Sequence, residues 1–160
     1  MLTKNLKSAK VIILSIVVFV IGSAIFAVYS FNDQYRDVIY SPADFHMDSK
    51  MLVREYLKDP IGADERYLDE EGDSKIIEVN GTVNEISEDY NQQKVVVLKD
   101  LEDKVGVSCT FTKKTQEKLA RIKIGNKVTI KGVIRSGALY DKDLAMYEHV
   151  ILEKCSLSNN

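Results

Sequence analysis

The stretch Ile76-Ile77-Glu78-Val79-Asn80-Gly81-Thr82-Val83 decides the fold. Ile77, Val79 and Val83 alternate with Glu78, Asn80 and Thr82, the period-two pattern of a strand with one face buried. Gly81 falls in the middle, and a mid-strand glycine marks a bulge or sharp bend. A small closed barrel needs such a bend in a long first strand.

Working outward, Asp89-Tyr90-Asn91-Gln92 has the chemistry of a turn, and Lys94 to Lys99 encloses a second strand, Val95–Leu98. Asp100–Asp103 turns the chain again. Val105, Val107, Cys109 and Phe111 then alternate with Gly106, Ser108 and Thr110 in a third strand, which points Phe111 inward. The period changes at Thr112. Residues 112–121 are helix formers, with Leu119 and Ile122 as the buried positions, and Gly125-Asn126 ends the segment. Val128 and Ile130 alternate with Lys127, Thr129 and Lys131 in strand four, where Gly132 sits at a bend. Ser136–Asp143 reads as a loop and Leu144–Cys155 as strand five. Three strands, a helix and two strands is the order of the oligonucleotide/oligosaccharide-binding (OB) barrel, whose helix plugs the bottom.

Four segments carry a family resemblance: IIEVNGTV (76–83), GVSCTF (106–111), KIGNKVTIKGVI (123–134) and VILEKC (150–155). Together they resemble the tRNA_anti-like family of small bacterial OB-fold proteins, which often follow an N-terminal signal or anchor and a short helical stretch. The matching residues are strand positions and bend glycines, so the resemblance implies an OB barrel and no particular ligand.

Ahead of the barrel, residues 11–31 form 21 uncharged positions without proline, enough to span a hydrocarbon core of about 30 Å as a helix. A cleaved signal peptide is the alternative, although its apolar region is shorter, at about 7–15 residues. No cysteine follows the run, which excludes a lipid-attachment site. Lys4, Lys7 and Lys10 precede it and Asp33 and Asp37 follow, which places residues 1–10 in the cytoplasm and the remainder outside. Three of the 22 basic residues lie ahead of the run, so the rest is acidic, unlike the basic footprint usual for nucleic-acid binders.

Ser41-Pro42-Ala43-Asp44 reads as a helix start, with Ser41 as N-cap and Pro42 at the first helical position. Phe45, Met51, Leu52, Tyr56 and Leu57 keep helical spacing until Asp59-Pro60. This helix either packs on the barrel or recruits a partner. His46 on it reads as a surface residue. Seven acids lie between Asp59 and Asp73 against one base, Arg66. They lack the alternation and central glycine of a calcium loop, and read as a solvated linker with one helical turn at residues 63–68.

The expected architecture is therefore mainly β: a five-stranded OB-fold barrel (75–157) with one helix between strands three and four. A transmembrane helix (11–31) and a helical connector with an acidic linker (32–74) precede it.

Candidate chemistry is sparse. Tyr90 and Tyr140 fall in loops where OB ligands touch, and Ser108 and Thr110 face outward on strand three. From Lys104 to Arg135 there are nine bases and one acid, Glu117. Lys113, Lys114, Lys118, Arg121, Lys127 and Lys131 are the candidate basic surface, either for phosphates or as a charged exterior balanced by the acidic linker. The aromatic platform on which OB domains stack bases is absent from strands two and three. Cys109 and Cys155 lie on strands that neighbour each other in an OB barrel. They read as a disulfide, worth about 3–4 kcal/mol across the 45 residues between them, or as two buried thiols. Cys155 shares parity with Ile151, not with Val150 and Leu152, which counts against the bridge.

His149 beside Glu148 has no nucleophile at a recognisable spacing, and no phosphate loop or HExxH motif occurs. No enzyme activity, cofactor or metal is expected. The sequence points to a membrane-anchored module of the cell envelope that binds a protein or polar ligand, with polyanion binding through the 104–135 surface as the alternative and nucleic acid not the expected partner.

Overall fold

The structure is a computed structural model that describes residues 21–23, 37–69 and 73–158. Residues 36–160 make one compact unit, distinct from residues 1–35. The expected anchor lies outside the described residues except for 21–23, which are helical. Among the described residues no helix is long and apolar enough to cross a membrane.

The barrel is built as the strand order implied. β2 (Ile76–Glu88), β3 (Lys94–Leu98), β4 (Val107–Phe111), β5 (Lys127–Ser136) and β8 (Val150–Leu157) are hydrogen-bonded in the order β2-β3-β4-β8-β5, and β5 returns to β2 to close the cylinder. β4 and β8 run parallel; the other barrel pairs are antiparallel. Inward positions of all five strands fill the interior, among them Ile77, Val79, Val96, Leu98, Phe111, Ile130, Ile134 and Leu152, all fully buried.

The first strand bends, but its glycine acts differently from expectation. The register shifts between Val83 and Glu85, past Gly81. A Cβ on Gly81 would lie 2.8 Å from Ser49 Oγ and 2.9 Å from Leu98 Cβ, so this glycine admits a packed neighbour. Gly132 does sit at a register shift, between Lys131 and Val133.

Three expectations for the lead-in are corrected. Phe45–Asp48 is a strand, β1, paired in parallel with Ile77–Asn80. Phe45 and Met47 pack against the core while His46 and Asp48 face out, so the period is two and not 3.6. The physical reason is the edge of β2. Its first half pairs with β5 on one side, and β3 reaches only its second half, leaving backbone groups that need partners. Asp44 locks the junction, its N–H donating to Ile76 O (2.7 Å) and its carboxylate accepting from Ile76 N (2.8 Å).

The helix therefore starts seven residues later than expected, as α1 (Ser49–Lys58), with the Asp48 carboxylate accepting from Lys50 N. Leu52, Val53 and Tyr56 are buried, whereas Met51 and Leu57 are exposed. Burying a leucine contributes about 1.5–3 kcal/mol. Asp59-Pro60 ends α1 as expected and also starts α2 (Pro60–Tyr67), with Asp59 as N-cap. Part of the expected solvated linker is thus a packed helix. Tyr67 is buried edge-on against Phe45, and its hydroxyl donates to Glu55 at 2.6 Å.

Two barrel elements also differ. The helix after β4 is a six-residue 3-10 helix, Gln116–Arg121, because Thr112 and Thr115 bond each other's hydroxyls and amides and hold the preceding residues in a turn. Leu119 is buried as expected and Ile122 only half-buried. The expected 136–143 loop contains a strand, β6 (Leu139–Asp141), which pairs with β7 (Met146–Glu148) through a turn with Ala145 at φ 52°. Leu144 is in that turn, so β8 begins only at Val150.

Cys109 and Cys155 are free thiols, both fully buried. Lys154 adopts φ 54°, and the resulting bulge gives β8 one more residue than β4 between the pairs Cys109–Leu152 and Phe111–Cys155. The extra residue reverses the parity, turning Cys155 inward with Val150 and Leu152. Gly132 makes the room: a Cβ there would lie 2.6 Å from Cys155 Sγ. The thiols are neighbours, and burial together with Cys109 pushes the Cys155 thiol well above its ordinary pKa. A disulfide forms through a thiolate, which this environment suppresses. Two thiols should count as free after unfolding without reductant, and neither should react with a maleimide in the native chain. Loss of both counts until reductant is added would show the bridge.

Tyr56 is a further contact between lead-in and barrel. Its ring fills the space a side chain at Gly137 would occupy, and its hydroxyl, buried, has no hydrogen-bond partner among the described residues. Gly137→Ala should destabilise the chain by about 1–3 kcal/mol or more through overpacking, measured by denaturant unfolding. Tyr56→Phe in the same assay should leave stability unchanged or raise it, since it removes an unsatisfied polar group.

Candidate functional site

The candidate ligand residues on the barrel are not gathered into one site. Tyr90 stands fully exposed in the β2–β3 turn. Ser108 and Thr110 lie half-buried on the outer face of β4, opposite Val97 and Val95 on β3, with Ile151 of β8 beside Ser108. That surface is aliphatic and small, without a ring for a base to stack on. Tyr140 packs on Tyr147 across the β6–β7 hairpin, with ring centroids 4.8 Å apart.

The basic candidates form a more coherent set. Lys113 and Lys114 occupy the turn after β4, Lys118 and Arg121 the 3-10 helix, and Lys127 the start of β5; all are exposed. None of the five makes an ion pair among the described residues. Lys114 Nζ stands 6.0 Å from the centroid of the Tyr40 ring. Lys131 departs from the set: half-buried, it donates Nζ to Ser41 O at 2.8 Å and pins the entering chain to the barrel.

Several acids elsewhere are held by local partners. Glu55 holds Arg66 at 2.9 Å, and Asp100 and Asp103 hold Lys50 at 2.7 and 3.5 Å. The Lys50 contact keeps the Asp100 carboxyl below its usual range. Glu78 accepts from Ser158 and His46, and its pKa is likewise lowered, the Ser158 hydroxyl being the main cause. The 113–127 surface therefore keeps its charge facing solvent.

Where α1 enters against the barrel, a polar cavity of about 730 Å³ opens between Asp48–Lys50, Asn80–Thr82, Asp100, Lys127–Thr129 and the end of β8. A second cavity of about 580 Å³ adjoins it, sharing Lys50, Thr82 and Asp100. Of the residues singled out from sequence, only Lys127 lines the larger one. The others were beyond sequence reasoning, because its wall exists only once β1 and α1 dock on β2.

His149 has a structural place. Its Nδ1 accepts the Gly106 N–H at 3.1 Å, tying the β3–β4 loop to the start of β8. Only the neutral ring with its proton on Nε2 can do this. Burial, reinforced by Lys99, lowers its pKa from the ordinary 6.5. A group depressed in this way contributes stability that is fully present above the unfolded value and declines as pH falls through the folded one. The thermal midpoint should therefore drop below about pH 6.5, and His149→Asn should flatten that drop; an unchanged pH profile would exclude His149 as its source.

A family model described as tRNA_anti-like matches residues 1–145, and so takes in the N-terminal segment and the lead-in as well as most of the barrel. Among solved structures, the chain is similar in fold to a candidate nucleic acid-binding lipoprotein from Klebsiella pneumoniae subsp. pneumoniae. The identity is 15%, over 74% of this chain and 100% of that one, with a TM-score of 0.53. No curated protein matches the chain.

Proposed function

The chain belongs to the tRNA_anti-like family, and on that footing we propose that it is a membrane-tethered binding module of the bacterial cell envelope. Its OB barrel holds an extended polyanion against Lys113, Lys114, Lys118, Arg121 and Lys127. One observation carries the reading: these five exposed cations crowd one stretch of an otherwise acidic chain, and none is consumed by an ion pair among the described residues. Cations that are not neutralised at home release counterions from a phosphate chain when they meet it.

The tether rests on the 21-residue apolar run with lysines ahead of it and acids behind. The similar Klebsiella protein is described as a candidate nucleic acid binder, which keeps a nucleic-acid strand among the polyanions to test. The outer face of β3 and β4 offers no aromatic ring, so recognition would run through phosphates and be indifferent to base identity. A second reading, contact with an envelope protein, draws on the β6–β7 hairpin, which exposes Leu139, Leu144 and Met146 together.

The test uses the full chain in detergent, titrated with oligothymidylate, oligoadenylate and inorganic polyphosphate over a salt series. Binding should be similar for the two oligonucleotides and should also occur with polyphosphate. Log affinity should fall against log salt with a slope of about −3, as expected for roughly four phosphate contacts at about −0.7 each. Reversing Lys113, Lys114 and Lys118 to Glu should abolish it. Affinity unchanged by the triple reversal, or insensitive to salt, would remove this surface from consideration. Binding of oligonucleotides without polyphosphate would identify nucleic acid as the ligand class.

A further inference from the structure

The first residue of α1, Ser49, is only 4% exposed, yet its hydroxyl has no hydrogen-bond partner among the described residues. It lies on the wall of the 730 Å³ cavity beside Gly81, and Ser49 Oγ is the atom a Cβ on Gly81 would meet first, at 2.8 Å. The bare glycine thus keeps the space over this hydroxyl open. The hydroxyl borders the cavity, where a ligand can take the place of water as its hydrogen-bond partner.

The rest of the wall defines what the ligand must be. Asn80 accepts from Thr129 Oγ1 through its carbonyl oxygen at 2.6 Å, which leaves its amide N–H groups as donors. Asp48 faces the cavity with a carboxylate already bonded to Lys50 N (2.9 Å), and Asp100 is held by the Lys50 ammonium. Lys127 supplies an unpaired ammonium. An anion would meet Asp48 and Asp100, and a cation would meet Lys50 and Lys127. A neutral molecule with hydroxyls that both donate and accept satisfies all of them, and hydroxyls bonded to charged groups make the stronger bonds. The volume falls within the range of small-molecule sites.

We propose that this cavity, between the start of α1 and strands β2 and β5, is a binding site for a neutral polyhydroxylated ligand, a saccharide unit, with the Ser49 hydroxyl as its central contact. It is separate from the polyanion surface, with which it shares only Lys127. No aromatic residue lines it, so affinity comes from hydrogen bonds and is weak.

The experiment is amide NMR on the full chain in a detergent without a sugar headgroup. Cellobiose, chitobiose and inorganic phosphate are titrated separately to the order of tens of millimolar, above the millimolar affinity that a few hydrogen bonds support. A disaccharide should shift the amides of residues 80–82, 127–129 and 157–158, and phosphate should not. Ser49→Ala should weaken this response about tenfold, the worth of one hydrogen bond, with the thermal midpoint equal or higher; a purely structural serine would lower it. Reversal of Lys113, Lys114 and Lys118 should leave the saccharide response intact. Phosphate shifting these amides in place of the disaccharides, no shift with either, or a saccharide response unchanged in Ser49→Ala would each overturn the proposal.

Discussion

The structure depends on satisfying both edges of β2. This strand has 13 residues and carries three neighbours: β5 along Ile76–Thr82, β3 along Val83–Glu88, and β1 along Ile77–Asn80. Closure through β5 makes the barrel, and β3 continues it. Neither covers the remaining edge of the first half, where bare N–H and C=O groups would invite another chain. β1 fills that edge, and the lead-in thereby becomes part of the domain.

Once β1 is in place, α1 has nowhere to go but onto the barrel, and backbone must approach backbone closely. Glycines permit this at three points. Gly81 receives Ser49, Gly137 receives the Tyr56 ring, and Gly132 receives the Cys155 thiol, each where a Cβ would collide. These positions link the lead-in to β2, the lead-in to the β5–β6 connection, and β8 to the interior. A second, smaller apolar cluster, Val38 and Ala43 against Ile76 and Val133, binds the entering chain to the outside of the same strands. The lead-in is therefore held from within and from without.

The sequence was informative where a residue's fate depends on its own neighbours. Alternation in Ile77–Val83 and Val105–Phe111 named the strands and their inward faces, and the order of elements named the barrel. It was uninformative where a distant segment decides. Phe45 fits a helical spacing with Leu52 and Tyr56, and only the vacant edge of β2 makes Phe45–Asp48 a strand. Cys155 had the wrong parity until Lys154 took a left-handed conformation, which nothing in VILEKC signals. Leu139–Asp141 carried no strand pattern apart from its partner Met146–Glu148. The Ser49 cavity shares this limit, since its wall comes from six separate stretches of chain.

Charge is arranged by the same logic. Docking α1 and α2 brings Glu55 to Arg66 and Lys50 to Asp100 and Asp103, so these acids of the lead-in and of the β3–β4 loop find cations nearby. Exposed pairs of this kind stabilise little, about 0–1 kcal/mol each, but they determine which charges stay unmatched. Lys113, Lys114, Lys118, Arg121 and Lys127 lie on a turn, a 3-10 helix and a strand start, and none of them is ion-paired among the described residues. A surface needed only for solubility could be matched by any acid, and this chain has more acids than bases. Glu55, Asp100 and Asp103 find cations while these five bases have no ion-pair partner among the described residues, and that contrast is the physical ground for reading the basic end as a place where something negatively charged binds.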